Sequence, residues 1–189
     1  MNSNNKAIKK KIKKLLDNER YQHTLGVAYT AASLAMRYRE DPEKLFTAGL
    51  LHDLAKNIPN DEKYALCKKY KIALNDVEKK APYLLHAKLG AYMAEHDFGI
   101  KDKDIINAIR YHTTGRAGMS LTEKIIFTAD YIELNRNEAP NLTDIRELAF
   151  TDIDMAVKKI LIDTLDYLSK GSRPVDPATK ETYDYYAKS

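Results

Sequence analysis

The sequence predicts an all-α domain, and three features predict it. Apolar residues recur at steps of three and four over most of the chain, the spacing that gives a helix one buried face. Only 7 Gly and 6 Pro punctuate 189 residues, which favours long helices with short connections. No run of alternating apolar and polar residues argues for a sheet. A chain of this length can bury one sizeable core, and its hydrophobic content of 44 % is enough to build it. The expected organisation is one domain over residues 1–189: a core at about 20–170, a basic helix at 5–17 and a tail at 172–189.

The elements follow in order. A short helix from Asn5 to Asp17 alternates lysines with Ile8, Ile12 and Leu15, giving a solvated basic face opposite an apolar stripe. A longer helix runs from about Arg20 to Arg39, with Leu16, Arg20, His23, Val27, Ala31 and Leu34 on one side. Asp41-Pro42 stops it and starts the third helix, because Asp caps well and Pro is tolerated at the first helical position. That helix is expected to end near Asn57, ahead of Ile58-Pro59. Asn60 to Lys71 forms the next, and a short one starts at Asn75. Pro82 opens a helix to about Phe98, closed by Gly99. Asp102 caps a segment ending at Tyr111-His112, where Thr113-Thr114-Gly115-Arg116-Ala117-Gly118 breaks the pattern. Ser120-Leu121-Thr122-Glu123 is a capping box before an apolar helix ending around Leu134. Asp152 starts one more, Ile153 to Lys170, stopped by Gly171. After Ser172-Arg173-Pro174, Asp176-Pro177 can open a last helix in a Tyr-rich tail.

Composition narrows the function classes. A net charge of +4 is a mild excess that suits an anionic ligand without calling for nucleic acid. No stretch approaches the ~20 apolar residues of a membrane span, and no apolar segment follows the N-terminal lysines as in a signal peptide. The single Cys67 excludes an internal disulfide and suits a reducing cytoplasm. Within Tyr64-Ala65-Leu66-Cys67 it reads as a small core residue.

The chemistry gathers on histidines and aspartates. His52 and Asp53 stand side by side inside Gly49-Leu50-Leu51-His52-Asp53-Leu54-Ala55, an otherwise apolar run. Burying such a pair without partners is costly, and imidazole nitrogen with carboxylate oxygen is a standard ligand set for first-row divalent ions. His23, His86, His112 and Asp130 each lie in a similar apolar or aromatic neighbourhood. His23 shares a face with Arg20, and Asp53 lies three residues before Lys56. Three helices from distant parts of the chain thus each offer a metal-competent side chain, which is how helical bundles build metal sites. Ordinary roles compete for some residues. His96 is expected to be a hydrogen-bonded core residue, Arg20 can serve a helix-start salt bridge, and Arg136 can answer a helix C-terminus. Tyr83 or Tyr111 could stack on a base.

In that order, on helices, these residues resemble the HD-domain phosphohydrolase superfamily. Arg20-Tyr21-Gln22-His23-Thr24-Leu25-Gly26-Val27, Leu51-His52-Asp53-Leu54-Ala55-Lys56, His112-Thr113-Thr114-Gly115 and Ala129-Asp130-Tyr131-Ile132-Glu133 resemble one branch of it, the bacterial HD-domain symmetrical diadenosine tetraphosphatases. The resemblance implies a helical bundle with a metal site in its core. His23, His52, Asp53 and Asp130 would hold iron or a similar divalent ion (manganese, cobalt or zinc), as one or two ions. Arg20, Lys56, His86, His112, Thr113 and Arg136 would face the nucleotide and its phosphates, with His23, Asp53 and Asp130 bordering it. Members that hydrolyse guanosine alarmones commonly carry an acidic pair soon after the doublet, where this chain has Lys56-Asn57.

The expected activity is metal-dependent hydrolysis of diadenosine tetraphosphate to two ADP, in the cytoplasm, with Asp53, Lys56, His86 and His112 as catalytic residues. A bound ion polarises a phosphoryl oxygen and acidifies water, while Arg offers a bidentate fork and Lys a point charge to the phosphates. His86 and His112 would either ligate a second metal or act as proton donors. The alternatives are a nucleotidase acting on mononucleotides and a nucleotide-sensing module without turnover. The partner is a dinucleoside polyphosphate, with no nucleic acid or membrane; a homodimer is left open.

Overall fold

A computed structural model of the chain describes residues 3–171 and 174–188. Its helices are α1 (Ser3–Ile12), α2 (Asn18–Tyr38), α3 (Pro42–Leu51), α4 (Asn60–Lys69), α5 (Asp76–Lys80), α6 (His86–His96), α7 (Lys103–Tyr111), α8 (Leu121–Ile132), α9 (Leu142–Thr151), α10 (Ile153–Ser169) and α11 (Pro177–Ala187), with a 3-10 turn at Pro82–Leu85. No strand occurs among the described residues, so the all-α expectation holds. Ser172 and Arg173, which open the expected tail, lie outside the described residues.

Caps explain most of the helix starts. Asp17, Asp41, Asp102, Asp152 and Asp176 each accept a backbone N–H of the first turn, of α2, α3, α7, α10 and α11 respectively. Asn75 with Glu78 and Ser120 with Glu123 form complete capping boxes before α5 and α8. Gly99 follows α6 in the left-handed region, at φ 68°.

Several boundaries differ from expectation. α1 stops at Ile12 rather than Asp17. Residues 82–98 divide into the 3-10 turn and α6, and the division falls at His86. α3 ends at Leu51 instead of reaching Asn57, because the helix gives up its carbonyls there. Gly49 O accepts the His52 Nδ1–H at 2.8 Å, and Leu54 N and Lys56 N bond back only three residues, to Leu51 and Asp53. α9 has no counterpart in the sequence reading: its cap position, Asn141, is left-handed and makes no side-chain cap bond, so the usual start signal is missing.

The core lies where α2 crosses α3 and α8, continues through α7 between α6 and α8, and extends under α10. Leu34, Leu50, Leu51, Ile109, Ile125, Ile126 and Ile145 have no exposed surface. α1 seats Ile8 and Ile12 on this core and leaves Lys6 and Lys10 in solvent, as its amphipathic pattern requires. Cys67 is fully buried, and burial and the nearby Glu78 push its thiol up to about 11, which keeps it unreactive. His96 is hydrogen-bonded as expected, its Nδ1–H donating to the Tyr92 carbonyl at 2.9 Å, but it is exposed at the end of α6 instead of lying in the core, and it stacks on Tyr92 at 3.9 Å.

Candidate metal centre and substrate cleft

Helix ends and one helix interior aim four imidazoles at a common centre. His52 is the last residue of the α3 path, His86 the first of α6, and His112 the residue after α7. Each has a free carbonyl three residues back, and each Nδ1–H donates to it: Gly49 O at 2.8 Å, Tyr83 O at 2.7 Å and Ile109 O at 2.7 Å. A carbonyl can only accept, so the proton sits on Nδ1 and Nε2 offers its lone pair. His23 lies inside α2, where the carbonyls of the preceding turn serve the helix. Its Nδ1–H donates instead to Glu133 Oε1 at 3.1 Å.

The Nε2 atoms meet two carboxylates. His23 Nε2 lies 3.0 Å from Asp130 Oδ1 and 3.9 Å from Asp53 Oδ2. His52 Nε2 lies 3.5 Å from Asp53 Oδ2 and 3.8 Å from Asp130 Oδ1. His52 and Asp53 are buried, and Asp130 is partly open. Despite these short separations, His23 Nε2, His52 Nε2 and Asp53 Oδ1 have no hydrogen-bond partner. Acceptors turned towards acceptors repel, and a buried group left in that state is costly. A divalent cation relieves it, and His23, His52 and Asp130 place their donor atoms within 4.8 Å of one another. His52, Asp53 and His112 do the same on the other side of Asp53. The donor set therefore fits a metal.

The other two imidazoles face each other, with His86 Nε2 3.2 Å from His112 Nε2. His86 Nε2 faces Lys56 Nζ at 3.2 Å and Thr113 Oγ1 at 3.2 Å, and Thr113 Oγ1 lies 3.1 Å from His112 Nε2. Both face Asp53 Oδ1, at 3.3 and 3.5 Å. Burial, then the Lys56 charge, hold His86 well below the usual histidine range, so its ring is neutral at neutral pH. Asp130 also lies well below its ordinary value: burial opposes this, but the His23 imidazole 3.0 Å away, then His52 and His112, prevail. In Asp53 burial is likewise outweighed, by His52, His112 and Lys56.

Cations border the cluster. Arg20 Nη1 donates to Asp53 Oδ2 at 2.9 Å, so its salt bridge belongs to the centre and not to its own helix start. Lys56 Nζ stands 3.7 Å from Asp53 Oδ1. Arg136 Nη2 stands 3.5 Å from Asp130 Oδ1, and its Nε donates to the Asp130 carbonyl, so it also answers the end of α8. A cavity of about 610 Å³ opens beside Arg20, His23 and Arg136, and another of about 480 Å³ beside Thr113, Tyr111, Arg110 and Lys88. Tyr111 lines the second, whereas Tyr83 contributes its carbonyl to His86. All ten residues singled out in the sequence, from Arg20 to Arg136, converge here.

Sequence reasoning gave no role to Glu133, Asn135 or Gly26. Glu133 is buried, and its Oε2 accepts from the Asn135 backbone N–H at 2.8 Å and from Asn135 Nδ2 at 3.0 Å. Gly26 and Glu133 both stand in the motifs quoted for the resemblance, and a glycine three residues after His23 inside a helix was a second signal.

Four clustered imidazoles and two aspartates, on helices and the turns that follow them, meet their counterpart in a known family: the HD domain, whose model matches residues 20–135. The chain belongs to the HD-domain family. Among HD-domain relatives it is 43 % identical over 173 residues to a Halalkalibacterium halodurans protein named symmetrical bis(5'-nucleosyl)-tetraphosphatase, covering 92 % of this chain and 91 % of that one. A Bacillus subtilis protein of the same name is 41 % identical over 174 residues, 92 % of each chain. A crystal structure from Clostridium acetobutylicum, described as a predicted HD superfamily hydrolase involved in NAD metabolism, superposes with a TM-score of 0.93 at 37 % identity. It covers 97 % of this chain and 96 % of that one. No helix among the described residues is long and apolar enough to cross a membrane.

Proposed function

We propose that this HD-domain protein is a metal-dependent hydrolase that cleaves diadenosine tetraphosphate symmetrically, giving two ADP. The observation that carries the reading is a cluster of unpaired acceptors bordered by three cations, Arg20, Lys56 and Arg136, with one cavity lined by Arg20, His23 and Arg136 and another that reaches Thr113. A long, highly charged substrate needs that combination, and relatives matched over nine-tenths of the chain carry the corresponding name.

His23, His52, Asp53 and Asp130 would hold the ion, with iron the first choice and manganese, cobalt or zinc compatible with the same donors. When bound, it supplies polarisation of a phosphoryl oxygen and acidification of water. Arg20 and Arg136 are set to take phosphate oxygens from one side and Lys56 from the other. Lys56, pressed against neutral His86, brings charge to the cleft without protonating the ring. The His86 and His112 Nε2 lone pairs and the Thr113 hydroxyl line the cleft, where they would accept a proton or, with Asp53, help hold a second ion. Phosphoryl transfer asks for positioning and charge more than covalent help, and these residues provide both. Buried, unreactive Cys67 suits a cytoplasmic enzyme.

The test is hydrolysis of diadenosine tetraphosphate by metal-loaded protein in ¹⁸O-labelled water. Two ADP per substrate, one of them labelled, is the expected result. ATP with AMP would refute the symmetrical cut. Phosphate release from mononucleotides alone would favour the nucleotidase, and binding without products would favour the sensing module.

A further inference from the structure

We propose that Glu133 is the positioning residue of the metal centre, fixing His23 so that Nε2 faces the ion, and that Gly26 is present to admit it. Three of the four clustered histidines anchor Nδ1 on a backbone carbonyl, and His23 anchors on a buried carboxylate. A carboxylate holds an imidazole N–H more strongly than a carbonyl does and raises the basicity of the opposite nitrogen. His23 is therefore the ligand whose donor strength the protein has increased.

Both oxygens of Glu133 are committed. Oε1 accepts from His23 while Oε2 accepts twice from Asn135, so the carboxylate cannot rotate without losing bonds. It reaches α2 only because residue 26 lacks a side chain: a Cβ there would lie 2.2 Å from Glu133 Oε2 and 3.2 Å from Asn135 Nδ2. Glycine inside a helix lowers its stability relative to alanine, and φ at Gly26 is not in the left-handed region, so backbone geometry gives no reason for it. Space for the carboxylate does. Within α2 the three-residue step from His23 to Gly26 thus sets the imidazole and the space for its anchor on one face.

This inference rests on the reading of His23 as a metal ligand, and its test avoids the hydrolysis assay. Full-length metal-free protein is titrated with Co²⁺ in competition with a chelator, following the visible Co²⁺ absorption. In Glu133→Gln one amide end can accept from His23, but the other then turns N–H groups against those of Asn135. The Co²⁺ dissociation constant should rise ~10–100-fold, the usual range for losing such a partner, with the metal-free fold retained by circular dichroism. Gly26→Ala keeps the charge but pushes the carboxylate aside, so affinity should fall while helix propensity improves. A purely structural role would move fold stability and affinity together. Wild-type Co²⁺ affinity and spectrum in both variants would overturn the proposal. If neither variant folds, ¹⁵N-histidine spectra of Zn²⁺-loaded wild type decide: protonated Nδ1 and metal-bound Nε2 on His23 support it, the reverse overturns it. Wild type that binds no divalent ion overturns it too. Failure to cleave the dinucleotide leaves it standing.

Discussion

At the scale of single residues, Asp53 and Lys56 separate holding a metal from handling phosphate. Asp53 touches nearly every member of the cluster, Oδ2 towards Arg20, His23 and His52 and Oδ1 towards His86, His112 and Lys56. Asp53→Ala should abolish both bound metal and hydrolysis while the protein still folds, read by elemental analysis and a thermal melt; full metal occupancy in this variant would remove Asp53 from the centre. Lys56 faces the cluster from its edge with a partly exposed side chain. Lys56→Met keeps the stem and loses the charge, so metal content should stay while turnover falls on the order of tenfold to a thousandfold, the range for losing one charge-stabilising group. Unchanged kinetics would exclude it. The cluster members were legible in the sequence because their side-chain types are rare in apolar surroundings. Glu133 was not, since a glutamate just past an apolar helix reads as solvated; only the fold brings α8 against α2 and shows what it touches.

At the scale of elements, the caps were legible and the places where a side chain competes for backbone were not. Asp41-Pro42, Ser120-Glu123 and Asp176-Pro177 act locally, so their signal survives without tertiary context. The end of α3 does not act locally. Lys63, buried, reaches back from α4 to donate to the Lys56 carbonyl at 3.0 Å, and Asp17 at the start of α2 accepts from Asn57. These long-range ties hold 52–57 as a compact turn that carries His52, Asp53 and Lys56. α3 is also held unusually close to α2: a Cβ on Gly49 would stand 2.6 Å from the Ala28 Cα, a backbone atom that cannot swing aside. Gly49→Ala must therefore push the two helices apart. Overpacking of this kind costs about 1–3 kcal/mol, and for a chain of this size each kcal/mol lowers Tm by roughly 2–4 °C. A fall of several degrees in the metal-free protein, with weaker metal binding because His23 and His52 sit on the separated helices, is expected from calorimetry and Co²⁺ titration; a Tm equal to wild type would show that the interface yields.

At the scale of the whole molecule, the proposed ion joins parts of the chain more than a hundred residues apart: His23 on α2, His52 and Asp53 after α3, and Asp130 on α8. The apolar core does not depend on that join. Leu34, Leu50, Ile125 and Ile126 on the same helices are fully buried, so folding has its own driving force. In this the chain differs from small metal-dependent domains that unfold when the ion is removed. Chelation should leave a folded protein that melts cooperatively but at lower temperature. An ion bound only by the folded state adds about 2.7 kcal/mol when present at 100 times its Kd. At roughly 2–4 °C per kcal/mol, that is a rise in Tm of about 5–10 °C. The relief of mutually facing acceptors at His23 Nε2, His52 Nε2 and Asp53 Oδ1 acts in the same direction. Calorimetry of the chelated protein with and without added Mn²⁺, Co²⁺ or Fe²⁺ measures it. A Tm that no divalent ion raises would refute the metal assignment, whereas loss of the cooperative transition on chelation would show that the core relies on the ion after all.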